Sequence, residues 1–314
     1  MKKLAIYTPV DGNYAIPGII ALESFRRHFP QYTYYVVGNK KLFSEGELGA
    51  IDSFNINFIH CDHCDQFQNE TNTWPTTAYL MLLAPEIFFN EGYQYSLGID
   101  ADVLCQREFN LDEILENTET FSGNENRPIM PNFIKSKAGF LDASYGITEE
   151  NKKLCNPNTG IIFWNNEFCD KINLSLNALK LHKENYAIEN DQSLLALYIY
   201  IHKIKYNILG PEYNFRTGNK TDLDLNIPIE DLIVIHYTSP KPWSPDQYKF
   251  TDHKYVSLWW KFIHINKKYF HSNQLAKKWL KKSIKVEMIL QFQRLSCVMH
   301  MLKLGKILKM FRLS

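Results

Sequence analysis

Apolar and polar positions come in alternating blocks along the first hundred residues. Leu4 to Thr8 is a short, mostly apolar run that predicts a buried strand. Tyr14 to Phe29 carries apolar residues at helical spacing and stops before Pro30, which predicts a helix. Tyr32 to Val37 predicts a second strand, Glu45 to Phe54 a helix, and Ile56 to His60 a third strand. Thr76 to Phe89 is helical in pattern, and Tyr95 to Ile99 is a short strand leading into Asp100. Strands and helices alternating at these lengths imply an α/β fold with a mostly parallel sheet covered on both faces.

The pattern then loosens. Gly123 to Gly146 is rich in Asn, Pro, Gly and Lys and predicts a long loop region. Beyond it, Asn158 to Trp164 reads as a strand, Glu167 to Lys183 and Asp191 to Tyr200 as helices, and Leu232 to Tyr237 as a strand. Lys254 to Ile265 is helical. Near the end, Ile284, Met288, Phe292, Leu295, Met299 and Leu302 recur at steps of four and three, one face of a helix. Past Gly305 the phase shifts: Leu304, Ile307, Leu308 and Phe311 lie opposite Lys306 and Lys309. The expected division is a catalytic-sized domain over 1–270 and a helical tail over 271–314.

Charge sharpens that division. The chain of 314 residues carries a net charge of only +1, which argues against a general nucleic-acid binder. From Lys277 onward there are ten basic residues and one acid, Glu287, a net of +9; the rest of the chain therefore carries −8. A basic amphipathic tail reads as an interfacial helix on an anionic membrane surface, with packing of its apolar stripe on the body as the alternative. No apolar run approaches the roughly 18 residues of a spanning helix. Met1-Lys2-Lys3 is followed by too short an apolar run for a secretory signal, and six cysteines do not make a disulfide framework. The expected location is cytoplasmic, peripheral on the inner face of the cytoplasmic membrane.

Two motifs carry candidate chemistry. Gly98-Ile99-Asp100-Ala101-Asp102 places two carboxylates at the end of an apolar strand. Two positions apart on extended backbone, their side chains point the same way, into the crevice where α/β sheets bind ligands. Divalent cations at phosphate sites are held by one or two carboxylates and phosphate oxygens. The alternative is a chance D-x-D with one acid capping a turn. His236-Tyr237-Thr238-Ser239-Pro240-Lys241-Pro242-Trp243 supplies an imidazole, a cation and an indole. Imidazole suits manganese better than magnesium, and Lys241 can meet a phosphate as a point charge; otherwise these are a core histidine and a surface lysine. His60-Cys61-Asp62-His63-Cys64 has the look of a metal clip, but without a second half it reads as a structural loop.

Taken in order, five segments resemble glycosyltransferase family 8, the family of glycogenin and bacterial lipopolysaccharide galactosyl- and glucosyltransferases. They are Thr8-Pro9-Val10-Asp11-Gly12-Asn13-Tyr14, Asp100-Ala101-Asp102, Asn158-Thr159-Gly160-Ile161-Ile162, Asp191-Gln192 and His236 to Trp243. The resemblance spans most of residues 3–243 and implies a GT-A-type, Rossmann-like nucleotide-binding domain. It implies a retaining, metal-dependent hexosyltransferase with a UDP-sugar donor and a surface-glycan acceptor that is an oligosaccharide or lipid-linked. By the same resemblance, Thr8, Asp11, Asn13 and Tyr14 belong to the nucleotide turn, with Tyr14 stacking on uracil. Asp100, Asp102 and His236 hold manganese, with magnesium as the alternative, and Asp100 also meets the ribose. Lys241 holds the diphosphate, and Asn158, Asp191 and Gln192 surround the transferred sugar.

Two features depart from the family pattern. Tyr79-Leu80-Met81-Leu82-Leu83-Ala84-Pro85 has Met81 where the family often has arginine, and His236 to Lys241 is one residue short and lacks a glycine. They keep open a degenerate, non-catalytic glycan- or nucleotide-sugar-binding protein. A sugar-phosphate nucleotidyltransferase is a further alternative, disfavoured because no Gly-rich phosphate loop stands near the N-terminus.

Overall fold

The structure, a computed structural model, describes residues 2–67, 75–125, 134–136, 139–140, 157–187, 190–238, 241–244, 253–271, 273–286 and 288. The chain divides into two compact units, Met1–Thr238 and Ser239–Ser314.

In the first unit, β1 (Lys2–Pro9) leads through a turn to α1 (Ala15–Arg26), followed by β2 (Thr33–Gly38), α2 (Glu45–Ser53) and β3 (Asn57–His60). Next come α3 (Leu80–Asn90), β4 (Tyr93–Ile99), β5 (Val103–Cys105), α4 (Leu111–Glu116), β6 (Phe121–Glu125), β7 (Ile134–Ser136) and β8 (Gly139–Phe140). The unit continues with β9 (Pro157–Asn165), α5 (Asn166–Lys171), α6 (Leu174–Glu184), β10 (Asn185–Ala187) and α7 (Asn190–His202). It finishes with β11 (Asn207–Ile208), β12 (Phe215–Arg216), α8 (Lys220–Asp224) and β13 (Val234–His236).

The central sheet has seven strands in the order β11-β6-β9-β4-β1-β2-β3. β9 alone runs against its neighbours, so the sheet is mostly parallel as the alternation of blocks predicts. Leu4 to Tyr7 are buried because a central parallel strand is covered on both faces. Two further sheets have three strands each, β12-β13-β5 and β10-β7-β8. The segment predicted as loop, Gly123 to Gly146, contributes to β6 and supplies β7 and β8; the rest of it lies outside the described residues.

Local sequence explains most boundaries. Ser44 and Glu47 form a reciprocal capping box that starts α2. The helix predicted from Thr76 begins as a 3-10 turn, Thr76–Tyr79, before α3. The single helix expected from Glu167 to Lys183 is two, α5 and α6. Asn173 sits between them at φ 47°, a left-handed residue that ends one helix and redirects the chain.

The second unit contains α9 (His253–Ile265), α10 (Lys267–Phe270) and a helix over 274–286. Trp259, Trp260, Ile263, Phe270, Ala276 and Leu280 are buried. In the tail helix Ala276, Leu280, Ser283 and Val286 are buried, whereas Ile284 and Met288 are exposed. Phe292, Leu295, Met299, Leu302 and the second amphipathic segment lie outside the described residues. No helix among the described residues is long and apolar enough to cross a membrane.

Candidate active site

β1 and β4 are adjacent and parallel, so their carboxyl ends open on the same edge of the sheet. The turn carrying Asp11, Asn13 and Tyr14 leaves β1 at that edge, and Asp100 leaves β4 there. Asp11 caps the turn by accepting the Asn13 N–H at 3.0 Å; Asn13 is exposed and Tyr14 half-buried. Thr8 is fully buried, with its Cγ2 methyl close under Gly18 of α1. Its side chain therefore packs against α1 and is closed off from solvent.

β9 runs antiparallel to β4, so its beginning lies beside the end of β4. The Asp100 N–H donates to the Gly160 carbonyl at 2.9 Å, which sets Asn158-Thr159-Gly160 against the D-x-D. α7 starts next to this strand: Asn158 Nδ2 donates to Gln192 Oε1 at 2.8 Å. Asp191 and Gln192 occupy the first turn of α7, and both are buried.

His236 arrives from far along the chain through backbone pairing. β13 runs antiparallel to β5 with His236 opposite Val103, and the Tyr237 N–H donates to the Asp102 carbonyl at 2.9 Å. β12 flanks β13 on the other side, and the Thr217 N–H donates to the His236 carbonyl at 3.0 Å. Arg216, on β12, is fixed by a buried pair with Asp222, Nε to Oδ2 and NH2 to Oδ1, both at 2.7 Å. That pairing fixes the strand carrying the imidazole before any side-chain contact is considered.

The result is a cluster. His236 Nε2 lies 3.4 Å from Asp100 Oδ2 and 3.5 Å from Asp102 Oδ1. One ligand atom from each of the three lies within 4.8 Å of the others, the one such group of three or more found among the described residues. Two carboxylates and one imidazole at this spacing fit a single divalent ion, with manganese the better match to the mixed O,N set. His60 to Cys64, read from sequence as a structural loop, supplies no such group among the described residues; Cys64 Sγ lies 3.8 Å from the Cys61 carbonyl oxygen.

Electrostatics in the cluster are strained in the sense expected of a cation site. Burial pulls the His236 pKa down, but the Asp102 and Asp100 carboxylates, through charge and hydrogen bonds, outweigh it and raise it to about 9. In the absence of a cation, the proton on His236 therefore stands in for positive charge. Asp191 is pushed up to about 8, first by burial and then by the negative charge of Asp100, against hydrogen bonds from Thr159 and from backbone N–H groups.

Two further residues complete the site: Asn214, which the sequence reading did not single out, and Gly160, which it quoted only as part of the Asn158–Ile162 segment. Asn214 Oδ1 is 2.9 Å from His236 Nδ1, and Asn214 Nδ2 donates to Asn158 Oδ1 at 2.7 Å. The available signal was a lone amide between two aromatics, Tyr213-Asn214-Phe215, just ahead of the short strand. Gly160 is the second: a side chain there would collide with the His236 ring and the Asn158 amide. Met81 lies outside the group. It is 1% exposed, and Tyr7 Oη donates to its carbonyl at 2.9 Å, so position 81 packs in the core beneath the sheet.

Lys241 lies in the second unit. Its neighbours are anchored there, the Pro242 carbonyl by Trp260 Nε1 at 3.0 Å and the Trp243 carbonyl by Lys282 Nζ at 2.7 Å. The Trp243 ring packs at 5.1 Å from Trp259 and 5.9 Å from Trp279.

Comparison with solved structures gives the same fold at low identity. WbbM, a bifunctional glycosyltransferase in its apo form, matches with TM-score 0.61 and 18% identity over 89% of this chain and 51% of its own. This chain thus spans about half the length of WbbM. The galactosyltransferase LgtC, solved with donor and acceptor sugar analogs, matches with TM-score 0.54 and 17% identity over 82% of this chain and 94% of its own. The glycosyltransferase GlyE of Streptococcus pneumoniae TIGR4 matches with TM-score 0.54 and 17% identity over 90% of this chain and 64% of its own. No curated protein matches the chain in sequence. The family model for glycosyl transferase family 8 matches residues 6–247, which include every site residue named above. The chain belongs to glycosyl transferase family 8.

Proposed function

We propose that the chain is a metal-dependent retaining hexosyltransferase that moves a hexose from a UDP-sugar to a bacterial surface glycan of the lipopolysaccharide type. The observation that carries this reading is the convergence of Asp100, Asp102 and His236 at the carboxyl edge of the sheet, beside the Asp11–Tyr14 turn. A divalent cation in that cluster would supply positive charge to the departing diphosphate.

The chain's own residues then divide the work. Asp100 and Asp102 provide the anionic ligands and His236 Nε2 the neutral one. Asp11 and Asn13 meet uracil and ribose, and Tyr14 stacks on the base, while Thr8 is buried against α1. Lys241 neutralises diphosphate charge, an interaction that grows as the glycosyl–phosphate bond breaks. Asn158, Asp191 and Gln192 hold the sugar.

The surroundings of the sugar pocket favour transfer on one face without a glycosyl-enzyme intermediate. Gln192 Oε1, the only atom of that amide able to attack, already accepts a hydrogen bond from Asn158. Asp191 is buried, and burial disfavours the carboxylate form that a nucleophile would need. The acceptor oxygen then bonds to the anomeric carbon as UDP leaves, and its proton passes to a phosphate oxygen of UDP.

The basic tail supports a peripheral position on an anionic membrane surface at the cytoplasmic face, where a lipid-linked acceptor would be presented. The test of the whole reading is UDP release from a panel of UDP-sugars with and without manganese. Wild type should turn over at least one donor, and Asp102→Asn should lose about a hundredfold or more in kcat. Absence of manganese-dependent UDP release from every donor would favour a binding protein instead.

A further inference from the structure

His236 has two ring nitrogens, and only one can face a cation. A chain of hydrogen bonds decides which. It starts from a group that cannot be flipped: the Gly160 backbone N–H, which donates to one end of the Asn158 amide at 3.1 Å. That end must therefore be the oxygen, Oδ1. Asn158 Oδ1 also receives Asn214 at 2.7 Å, so the Asn214 atom pointing there must be its NH2. The other end of Asn214, 2.9 Å from His236 Nδ1, is then an oxygen, and an oxygen requires Nδ1 to carry a proton. The remaining nitrogen, Nε2, faces Asp100 and Asp102. Once the ring is neutral, its lone pair points into the acidic cluster.

The same chain runs the other way. With Oδ1 turned toward Gly160 and Asn214, the Asn158 NH2 faces Gln192 and donates to its Oε1 at 2.8 Å. The side chains of Asn158, Asn214 and His236 are all buried, so water does not compete freely for these bonds. Gly160 makes room for the arrangement, since any side chain there would strike the imidazole.

We infer that Asn214 is a positioning residue that holds His236 as the Nδ1–H tautomer and, through Asn158, sets the orientation of Gln192, so that the cation site and the sugar pocket are aligned by one amide relay. The inference rests on the proposed metal-dependent transfer but concerns a residue that touches neither cation nor sugar. Partners of metal-bound histidines fix ring orientation and tautomer, and their loss weakens metal binding by about ten- to a hundredfold.

The test uses the full chain and manganous chloride, with free Mn2+ followed by electron paramagnetic resonance, and then the KM and kcat for UDP-sugar hydrolysis. Asn214→Ala should weaken Mn2+ binding by about ten- to a hundredfold. Asn214→Asp keeps an oxygen for Nδ1–H but loses the NH2 that meets Asn158. It should restore Mn2+ affinity to within about threefold of wild type while the donor KM stays raised. A merely structural role would not produce that split between metal affinity and donor KM. Wild-type Mn2+ affinity in Asn214→Ala overturns the inference. Should Asn214→Ala fail to fold, Asn214→Asp alone decides it: wild-type values for both Mn2+ and donor overturn the inference, and the split supports it. Asp102→Asn separates this failure from that of the broader reading. If Mn2+ binding to wild type does not depend on Asp102, the metal assignment falls and the relay falls with it; if it does depend on Asp102 but not on Asn214, only the relay falls.

Discussion

Asp191→Asn should stabilise the metal-free protein while impairing transfer, and the stabilisation should grow with pH. Asp191 is buried beside the negative Asp100, and its pKa is raised from 3.8 to about 8. In the unfolded chain it ionises near 3.8, whereas in the native protein it keeps its proton until about pH 8. The native state thus binds more protons than the unfolded state across that window, so stability falls as pH rises through it. Below the unfolded pKa the effect vanishes, and above about 8 it reaches a plateau. At about 1.4 kcal/mol per unit of pKa difference, the buried carboxyl costs roughly 4 kcal/mol at pH 7. Asparagine is isosteric, keeps an oxygen for the Thr159 and backbone donors, and has no proton to lose. The difference in unfolding free energy between variant and wild type should therefore widen by roughly 3–4 kcal/mol between pH 5 and pH 8. Urea unfolding with chelator present, at unit steps of pH, measures it, because titration of groups that do not interact with Asp191 cancels in the difference. A gap of the same size at pH 5 and pH 8 would refute the assignment of a protonated, buried Asp191. Loss of turnover in the stabilised variant would place the destabilising acid in the working site, a trade between stability and activity common at functional residues.

Three further outcomes follow from the geometry. Gly160→Ala drives a methyl into the His236 ring, so it should weaken Mn2+ binding and cost about 1–3 kcal/mol of stability, read by titration and by urea unfolding; wild-type metal affinity would contradict the close packing. Tyr14→Ala should raise the donor KM about tenfold with little change in kcat, since stacking on a base is lost in ground and transition states alike; an unchanged KM removes Tyr14 from the nucleotide site. Deleting 284–314 should reduce sedimentation with anionic vesicles more than it reduces turnover of a soluble acceptor; undiminished vesicle binding would remove the tail as the anchor.

The layered α/β fold was legible because a buried parallel strand writes itself into sequence as a continuous apolar run, as at Leu4 to Tyr7. Where the deciding residue is conformational, the pattern failed. Nothing in the apolar spacing from Glu167 to Lys183 marks Asn173 as left-handed, so two helices read as one. The two acids of the Asp100–Asp102–His236 group were legible for a different reason: carboxylates at the end of an apolar strand are chemically costly and stand out. Asn214 was not. Its function lies in which end of its amide faces which neighbour, and that depends on partners 56 and 22 residues away. Met81 shows the opposite limit. Sequence comparison marks it as a departure, and burial against Tyr7 shows that a methionine there is a core residue.

The position of His236 depends on strand register more than on its own side-chain contacts. A slip of one residue between β5 and β13 would turn the imidazole to the opposite face, because side chains alternate along a strand. The register is pinned on both sides of the histidine: Gln106 N–H to the Ile233 carbonyl at 2.8 Å, Tyr237 N–H to the Asp102 carbonyl, and Thr217 N–H to the His236 carbonyl. The buried Arg216–Asp222 pair closes the outer strand over this ladder. Breaking such a pair by removing one partner is expensive, about 3–5 kcal/mol, so the outer strand has a strong reason to stay in place. The imidazole is thus delivered to the acids by backbone pairing across more than a hundred residues, and the amide relay sets only its tautomer and tilt. Placement and orientation of the same imidazole are in this way assigned to separate parts of the structure, so a change at Asn214 should alter the ring's tautomer without moving the strand that carries it.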